Sequence, residues 1–114
     1  MKKISANYSG FAHSLKYAIA FYEVRHKYQI SVLNCAIICS FNGFFRVCDV
    51  CELLGANKLN VYKLLRRGVV KGIFIKDGRQ YHLSERSRLI QMDFRNILIE
   101  CKKKYLNKAE AWEI

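Results

Sequence analysis

Four of the five cysteines lie in two closely spaced pairs, Cys35 with Cys39 and Cys48 with Cys51. Four thiolates are a ligand set for tetrahedral zinc, and an exposed thiol of low pKa can act as a redox sensor. Both pairs fall in apolar stretches with helical spacing, and free cysteine packs as a small hydrophobe. We therefore expect packed, reduced thiols, with zinc binding and thiol sensing as the alternatives.

A second group of side chains, suited to binding a ligand, lies between residues 57 and 79. The apolar spacing leaves five of them on the outside of a helix, namely Lys58, Asn60, Lys63, Arg66 and Arg67, and Lys76 and Arg79 lie beside a turn. Tyr62 either joins this surface or packs against the hairpin. Ammonium and guanidinium groups bind phosphates, and a carboxamide can pair with both the donor and the acceptor of adenine. The pattern indicates a surface for a polyanion, and a solvated helix face is the alternative.

The charge of the whole chain agrees with that interpretation. Its 114 residues include 20 Lys and Arg against 9 Asp and Glu, a formal net charge of +11. Residues 46–88 hold ten basic and four acidic residues, the largest share of the excess. Such an excess attracts nucleic acid or anionic lipid. The length predicts one domain, residues 1–114, and no apolar run reaches the ~18 residues of a membrane-spanning helix.

Enzymatic chemistry is not predicted. His13, His26 and His82 are scattered, and Asp49 and Glu52 lie in the most basic region, where they tune charge rather than transfer protons. We expect a binding protein without metal or cofactor. The odd number of cysteines, and a start at Met1 that no apolar signal segment follows, predict a reducing cytoplasmic location.

The apolar spacing predicts long helices at both ends of the chain. Residues 9–27 and 84–106 form the outer two, and residues 29–41 form a central buried helix that Asn42-Gly43 ends. The first helix is apolar over so much of its surface that it needs more than one neighbour. The inward stripes are Phe11, Leu15, Ala18, Ile19 and Tyr22 in the first helix, and Ile90, Phe94, Ile97, Leu98, Cys101 and Tyr105 in the last, which Ser84 caps.

Two short helices and a hairpin are predicted in between. Residues 46–54 and 57–67 flank a Gly55-Ala56-Asn57 turn, with Gly68 ending the second helix. Residues 72–83 form a hairpin with Asp77-Gly78 as a type I′ turn, which places Phe74 opposite Tyr81. The inward residues are Val47, Val50, Cys51, Leu54, Val61, Leu64 and Leu65. The fold class is mainly α with a small β-hairpin, in the order of a winged helix-turn-helix.

Several motifs resemble those of the MarR-like winged-helix transcriptional regulators, over residues 10–106. Residues 49–55 are similar to the family's helix before the turn, residues 57–65 to its recognition helix and residues 83–86 to its Leu-Thr-Glu stretch after the wing; Tyr28-Gln29 with Val32-Leu33 is similar to the start of its second helix. The resemblance implies double-stranded DNA as the partner, with helix 57–67 in the major groove and hairpin 72–83 on the flanking backbone. It also implies a homodimer held by helices 9–27 and 84–106.

Two other functions fit the same pattern. One is an accessory DNA-binding protein of a phage or mobile element, acting in replication or partition. The other is a winged helix used only for protein–protein contact. A small-molecule effector is left open by the sequence.

Overall fold

The structure is a computed structural model that describes the backbone of residues 2–101 and the side chains of residues 15–100. The described chain is mainly helical with one antiparallel hairpin, which confirms the predicted fold class and is compatible with a winged-helix arrangement. Its elements are α1 (Lys2–Tyr28), α2 (Val32–Ser40), α3 (Val47–Leu54), α4 (Lys58–Val70), β1 (Phe74–Asp77), β2 (Gln80–Leu83) and α5 (Glu85–Cys101).

Helix α1 starts earlier than predicted and turns a different face inward. Its backbone is helical from Lys2 rather than from Ser9. Ala20 and Val24 are fully buried, whereas Leu15 and Tyr22 from the predicted inward stripe are 47% and 65% exposed. The helix is apolar on two sides, so its periodicity alone does not decide which side packs against the core. The side chain of Phe11 lies outside the described residues.

Helix α2 is the buried central helix that the sequence predicts, but it ends differently. Ser31 is its N-cap, accepting a hydrogen bond from the backbone N–H of Asn34. After Ser40 the backbone is extended at Phe41, and neither residue of the predicted Asn42-Gly43 terminator has a positive φ. The side chain of Gln91 instead donates to the carbonyl oxygens of Ile38 and Phe41, at 2.7 and 2.6 Å. This amide satisfies carbonyls that the helix end would leave unpaired.

Helices α3 and α4 are confirmed with one correction at Gly68. Gly55 ends α3 in the left-handed conformation, with φ of 62°. The carboxamide oxygen of Asn57 caps α4 by accepting from the N–H of Asn60 at 2.9 Å. Gly68 does not end α4, because the helix continues to Val70. A Cβ at Gly68 would overlap the ring of Phe74, so this glycine allows the helix to approach the hairpin.

The hairpin turns one residue later than predicted. Its two connecting residues are Gly78 and Arg79, and only Gly78 has a positive φ, so the type I′ turn is wrong. Phe74 pairs with Leu83, and Tyr81 pairs with Lys76. The pairing is displaced by two residues, which keeps every side chain on its predicted face because strand side chains alternate with a period of two.

An aromatic cluster joins the hairpin to the helices. Phe45, just before α3, exchanges two backbone hydrogen bonds with Tyr81, of 2.8 and 2.7 Å. The ring of Phe45 lies 5.9 Å from that of Phe74 and 6.1 Å from that of Tyr81. The hydroxyl of Ser84 accepts a bond from the N–H of Ser87, which confirms the predicted cap of α5.

The last helix is described as far as Cys101, so residues 102–106 of the predicted 84–106 helix lie outside the described residues. Ile90 and Phe94 are buried, and Ile97 and Leu98 are partly buried against the same core. Within the described part of the chain, no helix combines the length and apolarity needed to cross a bilayer.

Candidate nucleic-acid interface

The candidate interface is built on the outer face of α4, and α3 determines which face that is. The two helices pack against each other, with Val50, Val61 and Leu65 at most 1% exposed. The half-buried side chains of Cys51, Leu54 and Leu64 pack around them. Because the predicted inward set is the one that packs, the polar and basic positions of α4 face outward.

Caps at both helix starts fix this arrangement locally. The carboxylate of Asp49 accepts from the backbone N–H of Arg46 at 2.8 Å, at the start of α3. Asn57 performs the same task for α4 from the turn that separates the helices. Asp49 therefore caps α3, in addition to the charge tuning that the sequence predicts for it. Each cap satisfies an N–H group that would otherwise lack a partner in the first helical turn.

All eight predicted site residues are exposed. Six lie on α4 and two on the hairpin, namely Lys58, Asn60, Tyr62, Lys63, Arg66 and Arg67, with Lys76 and Arg79. The structure brings Lys63, Arg66 and Lys76 to one groove between α4 and the hairpin. Lys58, Lys76 and Arg79 line a second groove nearer the hairpin tip. Asn60 and Arg67 line neither groove; they are seven residues apart and so share one side of α4.

The first groove combines apolar walls with a cationic rim. Its volume is about 490 Å³. Its walls are Leu59, Tyr62, Val69, Val70 and Tyr81, and no acidic side chain lines it. Leu59 is 64% exposed. The groove therefore offers hydrophobic contact and positive charge to the same ligand.

The second groove is smaller, about 370 Å³, and places a thiol among cations. Cys48 of α3 lines it together with Tyr62, whose ring stands between the two grooves. Sequence reasoning missed both Leu59 and Cys48 as members of this surface. A signal for Leu59 was present, because a residue two positions before the buried Val61 cannot share its face of a helix. No comparable signal exists for Cys48, since its neighbours come from other elements.

The charge of this surface suits a polyanion. From residue 58 to residue 79 the sequence has seven basic residues and one acidic residue, Asp77. Phosphate groups of a nucleic acid attract such a surface without regard to base sequence. Base recognition requires groups such as the carboxamide of Asn60, which is exposed at the third position of α4.

The zinc alternative fails in the described residues. Cys35 and Cys39 lie together, with sulfurs 3.9 Å apart, but Cys48 and Cys51 do not join them. No group of three or more His, Cys, Asp or Glu side chains there could hold a metal ion. The four thiols therefore do not make the closed tetrahedral site that structural zinc requires.

Comparison with known proteins adds no relative to this picture. No protein-family model matches the sequence, and no curated protein is significantly similar to it. The resemblance of the short motifs in residues 10–106 to the MarR-like regulators stays a prediction. The surface formed by α4 and the hairpin is the strongest indication of function in the described structure.

Proposed function

We propose that this protein binds double-stranded DNA as a transcriptional regulator, with α4 in the major groove and the hairpin against the flanking backbone. The observation that carries the proposal is the joint exposure of the cations of α4 and of the hairpin on one surface. A helix-turn-helix uses its second helix in this way, while the first holds it against the core. The action is binding, without a chemical step.

Different parts of the surface have different tasks in this proposal. Lys63 and Arg67, near the middle of α4, contact phosphates and supply affinity. Asn60, in the first turn, reads a base edge, because the N-terminal residues of a recognition helix reach deepest into the groove. Lys76 and Arg79 contact the backbone beside the groove, or the edge of the minor groove.

We also propose that the protein acts as a homodimer through α1 and α5. Support comes from the apolar side chains that these two helices leave exposed, Leu15, Tyr17 and Tyr22 on α1 and Leu89, Met92 and Ile99 on α5. Two-fold pairing is the commonest symmetry of soluble oligomers. A dimer would place two recognition helices about 34 Å apart, one turn of DNA.

The apolar walls of the first groove favour a second candidate, a winged helix that binds an acidic protein. Leu59 and Val70 are 64% and 82% exposed there, beside Lys63 and Arg66. An amphipathic, acidic segment would match that combination. The same experiment separates the two candidates.

The decisive measurement is fluorescence anisotropy with a random-sequence duplex over a series of salt concentrations. The parent is compared with Lys63→Ala/Arg67→Ala and with a control of equal charge change on α1, Lys16→Ala/Arg25→Ala. Each lost phosphate contact lowers the slope of log affinity against log salt by ~0.9, so the α4 variant loses about 2 units of slope. The control keeps the slope of the parent.

Two results would contradict the DNA proposal. Parent protein that does not bind duplex at low salt would leave the acidic-protein candidate in the lead. Equal losses in the two double variants would mean that net charge, and not α4, attracts the DNA. If binding is found, operators selected from a random pool then test Asn60→Ala, which should reduce the preference for the selected sequence over random duplex by about 5- to 150-fold, a loss of ~1–3 kcal/mol.

A further inference from the structure

Cys35 and Cys39 form a pair of thiols that DNA binding does not use. They lie one turn apart on α2, and their sulfurs are 3.9 Å apart, which is contact distance. The Sγ of Cys35 also lies 4.0 Å from the carbonyl oxygen of Phe21, to which its S–H donates. The hydrogen bond between the thiols lowers the pKa of Cys35 and raises that of Cys39. One thiol of the pair therefore ionises before the other.

A cavity of about 420 Å³ opens beside this pair, between α1, α2 and α5. Cys39 lines it, and Cys35 lies directly behind Cys39 and is fully buried. The other walls are apolar or aromatic side chains, namely Tyr17, Ala18, Phe21, Ala36 and Phe94, with Ser40. The cavity is open to solvent on one side, and because an apolar cavity of ~150 Å³ already holds a benzene ring, it has room for an aromatic group.

The number of thiols limits what the pair can bind. No third His, Cys, Asp or Glu joins them among the described residues, so the pair does not supply the four protein ligands that a structural zinc ion needs. A trivalent organoarsenical needs two thiols only, because its third valence is already filled by carbon. Soft, polarisable sulfur is the preferred partner of such a centre.

We propose that Cys35 and Cys39 are a binding site for a trivalent aryl-arsenical, whose ring occupies the α1–α2–α5 cavity. The arsenic bridges the two sulfurs: two As–S bonds form and two As–O bonds of the hydrated arsenical break. The thiol protons leave in two molecules of water, and arsenic stays trivalent throughout. The second As–S bond forms within one molecule, so the bridge is much harder to displace than a single thiolate bond.

The test uses phenylarsine oxide and intact-protein mass spectrometry on the full chain, with the thiols kept reduced. The parent should take up one phenylarsenic group that excess glutathione, a monothiol, does not remove and that a dithiol does. Cys35→Ser and Cys39→Ser should each lose the glutathione-resistant adduct. Cys48→Ser and Cys51→Ser serve as matched controls and should retain it. Thermal unfolding of each variant establishes that it is folded before the comparison is made.

The cavity has its own test. Methylarsine oxide offers the same arsenic without the ring, so the parent should retain the phenyl adduct at least about tenfold longer than the methyl adduct under dithiol challenge. An adduct that survives in folded Cys35→Ser or Cys39→Ser, or that is lost in Cys51→Ser, would overturn the assignment of the site. Equal retention of the two arsenicals would overturn the role of the cavity.

Discussion

The two halves of the molecule use their apolar residues in opposite ways. In the wing unit, which we define as Phe45 together with α3, α4 and the hairpin, the rings of Phe45, Phe74 and Tyr81 are at most 5% exposed. In the helix pair, α1 and α5, apolar side chains also lie on the outer side, among charged ones. On α5, Leu89, Met92 and Ile99 are each more than half exposed and recur at three- and seven-residue steps.

Exposed apolar residues also occur in the wing unit, but there several of them line a groove. Leu59 and Val70 share their groove with Lys63, Arg66 and Lys76. Exposed apolar patches of either kind are typical of interaction sites. The cationic groove is the basis of the proposed contact with a polyanion, and the stripe on α5 is the basis of the proposed contact with a second copy.

The largest effect is expected where the helix pair would meet that second copy. Leu89→Glu/Met92→Glu places two carboxylates in an apolar interface, where their desolvation costs several kcal/mol. The parent should have the mass of two chains in light scattering at micromolar concentration, and the variant the mass of one.

The matched control makes the same kind of change in the wing unit. Leu59→Glu/Val70→Glu also replaces two exposed apolar residues, and it should leave the mass of the parent unchanged. A parent that is monomeric over the whole concentration range would remove the proposed dimer. Dissociation of both variants would contradict the contrast between the two halves.

The next effect tests how completely the wing unit is packed. Gly68→Ala should destabilise the protein by about 1–3 kcal/mol, because the added methyl group overlaps the ring of Phe74 in a closed core. The direction is informative, since Gly→Ala within a helix normally stabilises by ~1 kcal/mol. Urea unfolding followed by circular dichroism measures the difference.

Gly43→Ala is the control for that substitution. Nothing lies within 4 Å of a Cβ built at Gly43, and its φ is not positive, so the change should shift stability by less than about 0.5 kcal/mol. Greater stability in Gly68→Ala would mean that the contact between α4 and the hairpin is loose.

A smaller loss is expected at the start of α4. Asn57→Ala removes the oxygen that accepts from the N–H of Asn60, which costs about 1 kcal/mol. Asn60→Ala is the comparison, because Asn60 contributes only its backbone N–H to this cap. We expect Asn57→Ala to lower stability in urea unfolding and Asn60→Ala to leave it nearly unchanged. The reverse order would show that the cap does not set where α4 begins.

The sequence predicted the inward face of α4 better than that of α1, and the reason is physical. Gly55 and Asn57 are local signals, since a left-handed φ and a side-chain cap depend on adjacent backbone. The inward face of α4 was clear because the opposite face is charged. On α1 both faces are apolar, so the choice of Ala20 and Val24 for the core depends on α2 and α5, which periodicity does not describe.

Two errors arose where a residue type has more than one use. Glycine is typical of a helix end, but Gly68 lies within α4. It leaves space for the ring of Phe74, a residue six positions further along the chain. Asp77-Gly78 is a strong turn signal, yet the turn uses Gly78 with Arg79. The eight site residues were found because exposed charge follows from the helical pattern; their division between two grooves depends on the hairpin and could not be read from spacing.

The smallest effect concerns the contact between α1 and α5 themselves. Asp93 accepts hydrogen bonds from Lys27 at 2.8 Å and from the hydroxyl of Tyr28 at 2.7 Å. These bonds, that of Lys27 first, hold the pKa of Asp93 below its usual value. The same contact raises the pKa of Lys27. The Lys27 side chain is 61% exposed, so solvent screens the pair, and Asp93→Asn should cause only a slight loss of stability at neutral pH.

The pH dependence of that loss identifies its cause. A carboxylate with a lowered folded pKa contributes stability that is complete above its unfolded pKa of ~3.9 and disappears as pH falls through the folded value. The difference in urea midpoint between the parent and Asp93→Asn should therefore be present at about pH 7 and shrink towards about pH 3. In a Lys27→Met/Tyr28→Phe background, which lacks both donors to Asp93, Asp93→Asn should show no such convergence. If the Asp93→Asn difference is independent of pH, the carboxylate charge does not join the two helices, and the helix pair depends on its apolar contacts alone.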